Sequence, residues 1–131
     1  MARCRDHVLE LLRIRGSSPL FRLASAEQVA RHVSFLNTGP EQLPGVIAML
    51  LSDPEARVDT RLARVLVVFN AARQTRRLDS ATLRGLRLEL HEVLRGSSDP
   101  RLAESRCDAE RGHCEVPGRT TAVFVERRSA G

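Results

Sequence analysis

Lysine, tryptophan and tyrosine are missing from this 131-residue chain, and phenylalanine occurs only four times. Without Trp or Tyr the chain has no flat polar-tipped rings to lay against sugar faces, which excludes a free-standing carbohydrate-binding surface of the usual kind. Phe21, Phe35, Phe69 and Phe124 all stand in apolar contexts that a core explains. All 21 basic residues are arginine, set against 16 acids for a formal net charge of +5. Such a bias fits codon usage better than selection for an anionic partner. The cations are spread from Arg3 to Arg128, many beside acids as in Arg5-Asp6 and Glu110-Arg111, and lack the interleaved aromatics of single-strand binders. They therefore read as a solvated surface, with no nucleic-acid partner expected. No apolar run approaches the ~20 residues of a membrane span, so no membrane partner is expected either. Nothing resembles a signal peptide; in a piece of a longer protein this leaves the compartment open between the cytoplasm and secretion of the parent.

Cysteine is scarce too. Three cysteines make an odd count, so at least one thiol is free or paired outside the chain. His113 and Cys114 with Cys107, and His91 or Cys4, could be drawn as a zinc site, but the paired C-x2-C spacing of structural zinc is absent. Serine-nucleophile motifs and phosphate-cradling glycine loops are absent as well, so no cofactor, metal or catalytic residue is assigned.

What is present reads as helix first and strands afterwards. Asp6 can cap a helix whose Val8, Leu11 and Leu12, with Leu9 beside them, have the spacing of one buried face. Gly16-Ser17-Ser18-Pro19 should end it. Ser25 followed by Gln28 resembles a capping box opening a short turn at 26–31. From His32 the pattern becomes extended as far as the turn signal Asn37-Thr38-Gly39-Pro40. Short strands are expected at 46–51, 65–70, 86–91, 103–107, 114–116 and 121–126, in the rhythm of an antiparallel sandwich. Val65 to Phe69 is apolar on both faces and reads as a central strand, with Phe69 buried at its end. Asp53, Asp59, Asp79, Asp99 and Asp108 sit where aspartate shapes turns, not as paired carboxyls on rigid supports. Asn70 reads as shaping a strand end. Cys107 and Cys114 flank a hairpin turn over 108–112, so they form either a cross-strand disulfide or two buried thiols.

Five blocks carry a more specific signal: LLRIRGSSPLFRL (Leu11 to Leu23), VSFLNTGPEQLPGVIAMLLSD (Val33 to Asp53), RVLVVFNA (Arg64 to Ala71), LHEVLRGSSDP (Leu90 to Pro100) and VPGRTTAVFVE (Val116 to Glu126). In order and spacing they resemble the C-terminal region of pullulanase-type α-1,6-glucosidases and limit dextrinases, starch-debranching members of the α-amylase superfamily. The resemblance implies a mainly β chain: an antiparallel β-sandwich preceded by one or two short helices from the end of a (β/α)8 barrel. It implies a remnant of the last barrel helix and its connecting segment over 1–37 and a sandwich over 38–126; the terminal 127–131 reads as a frayed tail. It places the family's nucleophilic aspartate, acid/base glutamate and stabilising aspartate upstream of everything matched, so this chain is expected to be a non-catalytic, stabilising domain. Its implied partner is the parent's barrel, faced by Val8, Leu11, Leu12 and Leu20; without that barrel, the helix is expected to fray or self-associate. Met1, just before the helix, reads as a frame opened inside a longer gene. Gly16, Cys107 and Cys114 depart from the family's usual residues. A small basic protein binding nucleic acid through dispersed arginines is the alternative reading.

Overall fold

The computed structural model describes residues 2–38, 42–97 and 99–128, with the backbone alone at 2–4. Helix α1 (Ala2–Ser17) leads into a 3-10 turn (Pro19–Arg22), then α2 (Ala26–His32) and β1 (Val33–Leu36). There follow β2 (Val46–Ser52), β3 (Leu62–Asn70), β4 (Arg76–Asp79), β5 (Glu89–Leu90), α3 (Glu92–Arg95), β6 (Arg106–Asp108), β7 (His113–Val116) and β8 (Thr120–Arg127). Two further 3-10 turns lie at Ala81–Leu83 and Pro100–Glu104. The strands form a five-stranded sheet in the order β1-β2-β3-β8-β5 and a three-stranded sheet in the order β4-β7-β6. Every strand pair is antiparallel, so the mainly β, antiparallel architecture expected from the sequence is the one found.

β3 is central, as its run of apolar residues requires: it pairs Val67 with Met49 of β2 on one side and with Val123 of β8 on the other. On one sheet face Ala48, Leu50, Leu66, Val68, Ala122 and Phe124 are all buried, the alternation that a period of two imposes. The opposite face is buried at Leu51, Val65, Val67, Val123 and Val125. β8 is thus covered on both sides. Leu78, Cys114 and Val116 of the small sheet and Leu83, Leu94 and Leu102 of the connections join the same core.

The ends of the strands are held by side chains. Asn70 donates from Nδ2 to the carbonyls of Gln74, Val116 and Pro117 and accepts from the Ala72 N–H, tying β3 to the β7–β8 connection. Asn37, in the left-handed region at φ 54°, bonds Leu43 twice and the Val46 carbonyl once, and so closes the β1–β2 connection. Gly39 and Pro40 of that turn lie outside the described residues.

Several boundaries differ from the sequence expectation. α1 starts at Ala2 and passes through Asp6 and Gly16, so Asp6 is an interior residue and no cap. Ser25 does cap α2, accepting from Gln28 N, while the Gln28 side chain reaches back to Ala24 N. The strand expected over 86–91 shrinks to two residues, because His91 Nδ1 accepts from Val93 N and opens α3 instead. The one expected over 103–107 begins as a 3-10 turn capped by Asp99. β4 went unrecognised: in Arg76-Arg77-Leu78-Asp79 only Leu78 is apolar and buried, too little for an alternation. A division after residue 37 cuts the first hairpin, since β1 pairs with β2 from Val33↔Leu51 to Leu36↔Ala48. At the tail, Arg127 belongs to β8 and Arg128 N bonds Arg61 O, while 129–131 lie outside the described residues.

Candidate functional site

α1 is amphipathic, but its polarity is divided in an unusual way. The side turned to the protein carries Ile14, 2% exposed, and the carboxylate-bearing Glu10, 8% exposed. Ser97 Oγ donates to Glu10 Oε2 at 2.8 Å, and His7 Nδ1 lies 3.5 Å from the same oxygen. The side turned away carries Val8, Leu9 and Leu12, respectively 49%, 48% and 57% exposed. A helix selected to sit on this sheet alone would place leucines inward and acids outward; this one also presents apolar surface outward.

The helix is nevertheless fixed. Arg61 Nη2 donates to the Ser17 carbonyl at its C-terminal end. Ser17 Oγ donates to Ile14 O at 2.6 Å and lies 3.3 Å from His91 Nε2. Since His91 Nδ1 accepts from Val93 N, the neutral tautomer with its proton on Nε2 completes the chain by donating to Ser17. Burial pushes the His91 pKa down, with Arg127 and Arg95 adding to the effect against the opposing pull of Glu92, which favours that neutral form.

Of the four residues expected to face a barrel, Val8 and Leu12 point outward, and Leu11 is half-buried against the core. Leu20 is corrected: at 1% exposure it belongs to the protein's own core. Ser18 explains the inward turn, because it accepts from Leu20 N and donates to buried Asp59, folding the chain back after α1. A second apolar patch was not foreseen. Phe35 is opposite Met49, and Ile47 is opposite Phe69, so Phe35, Ile47 and Phe69 share one sheet face; they are 56%, 57% and 41% exposed. Phe69 and Phe35 are therefore not core residues, since what reads locally as an apolar strand cannot show where its cover stops. His7, Phe69, Arg119 and Thr121 line a shallow cavity of about 370 Å³ at that edge of α1.

The buried acids are occupied. Asp53 accepts from the N–H groups of Arg57, Val58 and Asp59 and lies 3.3 Å from Arg128 Nη2. Asp59 accepts from Ser18 Oγ at 2.5 Å and from the N–H groups of Arg61 and Leu62. Burial alone pushes both carboxyls up, but these donors outweigh it and hold both below the usual 3.8. Arg128 closes the loop by donating to the carbonyls of Asp53, Pro54 and Asp59. Asp99 and Asp108 likewise accept from the backbone of their own turns. Cys107 and Cys114 are cross-strand partners in β6 and β7 with sulfur atoms 2.02 Å apart. Among the described residues no three His, Cys, Asp or Glu side chains converge as a metal cluster. What the arrangement leaves open to solvent is the apolar stripe of Val8, Leu9 and Leu12 on α1 and the patch of Phe35, Ile47 and Phe69 on the sheet.

Residues 1–127 match a family described as alpha-1,6-glucosidases, pullulanase-type, C-terminal. Among curated proteins the chain is 41% identical to the chloroplastic Pullulanase 1 of Arabidopsis thaliana, across 92% of this chain and 13% of that one. It is 33% identical to the pullulanase of Klebsiella pneumoniae, across 88% of this chain and 11% of that one. Among solved structures, PulA from Klebsiella oxytoca superposes on 93% of the chain and 12% of its own length with a TM-score of 0.78 at 29% identity. The chain thus spans about an eighth of the length of these relatives.

Proposed function

This chain belongs to the C-terminal family of pullulanase-type α-1,6-glucosidases, and from that membership we propose that it is a non-catalytic accessory domain that packs against and stabilises the (β/α)8 barrel of a starch- or glycogen-debranching glycoside hydrolase. The observation that carries the reading is the outward stripe of Val8, Leu9 and Leu12 on a helix otherwise anchored to the sandwich. Burying side chains of this kind contributes about 1.5 to 3 kcal/mol each, so a stripe left in water is a reservoir of stabilisation for whatever covers it. Glycoside hydrolysis requires two carboxyl groups facing a scissile bond about 5 to 9.5 Å apart. Here Asp53 and Asp59 are engaged by backbone donors, and Glu10 by Ser97. The Cys107–Cys114 pair serves as a covalent staple of the small sheet.

Two measurements test this reading. The purified chain should hydrolyse neither pullulan nor α-limit dextrin; turnover that persists after exhaustive removal of host enzymes contradicts the non-catalytic half. Grafted in place of the matching segment of the Klebsiella pneumoniae pullulanase, the chain should recover thermal stability lost when that segment is deleted. A graft that melts no higher than the deletion removes the stabilising half.

A further inference from the structure

Arginines border the outward stripe of α1. At ~100° of rotation per residue, Val8, Leu12 and Leu9 fall next to one another, with Arg15 along one edge, Arg13 along the other and Arg5 at the N-terminal end of the stripe itself. All three arginines are exposed. Arg5 has a weak contact with Asp6 at 3.9 Å. Among the described residues Arg13 and Arg15 have no acidic partner, although most of the acids elsewhere are already engaged with arginine or backbone. Gly16 lies on the same side, and a Cβ added to it would meet nothing within 4 Å.

We propose that the surface seated on α1 is a helix with an apolar stripe edged by carboxylates, placed to pair with Arg13 and Arg15. The inference rests on the accessory-domain reading for where that helix lies, on the catalytic part of the same enzyme, and adds the chemistry by which it is recognised. An apolar stripe alone takes any apolar cover; cations on both edges select against a basic or neutral one, because like charges brought together at an interface are repelled and stripped of water. A second copy of the chain fits poorly, since two α1 helices face to face bring Arg5, Arg13 and Arg15 against their own kind. An anionic membrane satisfies the arginines, but the outward stripe holds three aliphatic side chains and no aromatic, too little to anchor a helix in a lipid interface. A helix suits the remaining feature as well: Gly16 lets a crossing backbone approach to the close end of ordinary interhelical distances, about 8 Å.

The probe is a synthetic amphipathic helix of about 18 residues with a leucine stripe edged by glutamate, compared with the same peptide edged by lysine, each carrying a fluorophore and titrated with the full chain. The glutamate-edged peptide should bind about tenfold more tightly, with the advantage shrinking at high salt. Arg13→Glu/Arg15→Glu should reverse the preference, and because both positions are exposed the fold should survive, as circular dichroism will check. Leu12→Ser should weaken both peptides alike. Equal binding of the two peptides, or a preference that survives the charge reversal, overturns the proposal. So does tighter binding to phosphatidylserine vesicles than to the glutamate-edged peptide, or dimerisation of the free chain at the concentrations used. None of these outcomes alters whether the graft stabilises the barrel, so the two readings fail separately.

Discussion

The central strands β2, β3 and β8 close most of their apolar residues within this chain, whereas the helix α1 leaves half of its apolar stripe in water. In the strands, the face carrying Leu66, Val68, Ala122 and Phe124 is closed to water within this chain. In α1, Ile14 is closed off, but Val8, Leu9 and Leu12 are left open while Glu10 is drawn in and bonded by Ser97. The sandwich closes most of its core and leaves only Phe35, Ile47 and Phe69 open at one end of a face; the helix buries one side here and leaves the other in water. Substitutions in the two regions should therefore have different signatures.

The largest effect is expected where the strand core is densest. Phe124, fully buried, should cost about 3 to 5 kcal/mol on truncation to Ala. Phe69, 41% exposed at the open end of the opposite face, should cost only about 1 kcal/mol. Paired denaturant melts of the two variants make the comparison. Equal losses would mean that the Phe35–Ile47–Phe69 patch is covered in solution, and the boundary between closed and open faces would have to be redrawn.

Next comes the staple of the small sheet. Cys107 and Cys114 close a short loop across β6 and β7, and in the chain-entropy view such a crosslink stabilises by about 2 to 3 kcal/mol. Cys107→Ser/Cys114→Ser should lower stability by that amount against the oxidised chain, and by much less against the reduced one. If peptide mapping after mild oxidation finds both thiols free, the small sheet holds together by hydrogen bonds and packing alone.

Asp53 sharpens the comparison from the side of the loops. Its carboxylate anchors the 53–59 loop through three N–H groups, and Arg128 ties the end of β8 to that loop. Asp53→Asn exchanges a charged acceptor for a neutral one and should cost about 1.5 to 3 kcal/mol at neutral pH. Because the folded pKa of Asp53 lies below the unfolded value, its contribution is complete above about pH 4 and drains away as pH falls through the folded pKa. Urea midpoints followed from neutral pH into that acid range should drop less steeply for Asp53→Asn than for the parent chain. Parallel curves would assign the acid sensitivity to Asp59, which is depressed in the same way.

Legibility followed the range of the forces involved. Val65 to Phe69 announced a central strand because its apolar run needs cover on both faces, and the Ser25–Gln28 capping box was visible because its partners are three residues apart. β4 was invisible: its place in the sheet comes from β7, some forty residues away, and its own sequence offers only Leu78. The outward stripe of α1 was half legible. Helical spacing grouped Val8, Leu11 and Leu12, but which side faces the sheet is decided by long-range contacts of Glu10 with Ser97 and of Ser17 with His91. Leu20 went inward for the same reason, through Ser18 and Asp59. Periodicity gives a helix its faces; only tertiary partners say which face is spent.

The smallest expected effect is the most telling one. Leu12, 57% exposed, has the sequence appearance of a core leucine. Were it one, Leu12→Ser would cost several kcal/mol, as truncation of a buried leucine does. With its side chain in water, the substitution should instead leave the stability of the isolated chain within about 0.5 kcal/mol. The anchoring groups Ile14, Ser17 and Arg61 are untouched by it, so amide protection near Ile14 should also be unchanged. In the grafted pullulanase the same substitution should lower the melting temperature, because there the stripe would be covered. A change silent in the isolated chain and costly in the graft locates the partner on this side of α1. If Leu12→Ser destabilises both equally, the stripe is already satisfied within the chain, and the contrast between closed strands and open helix disappears.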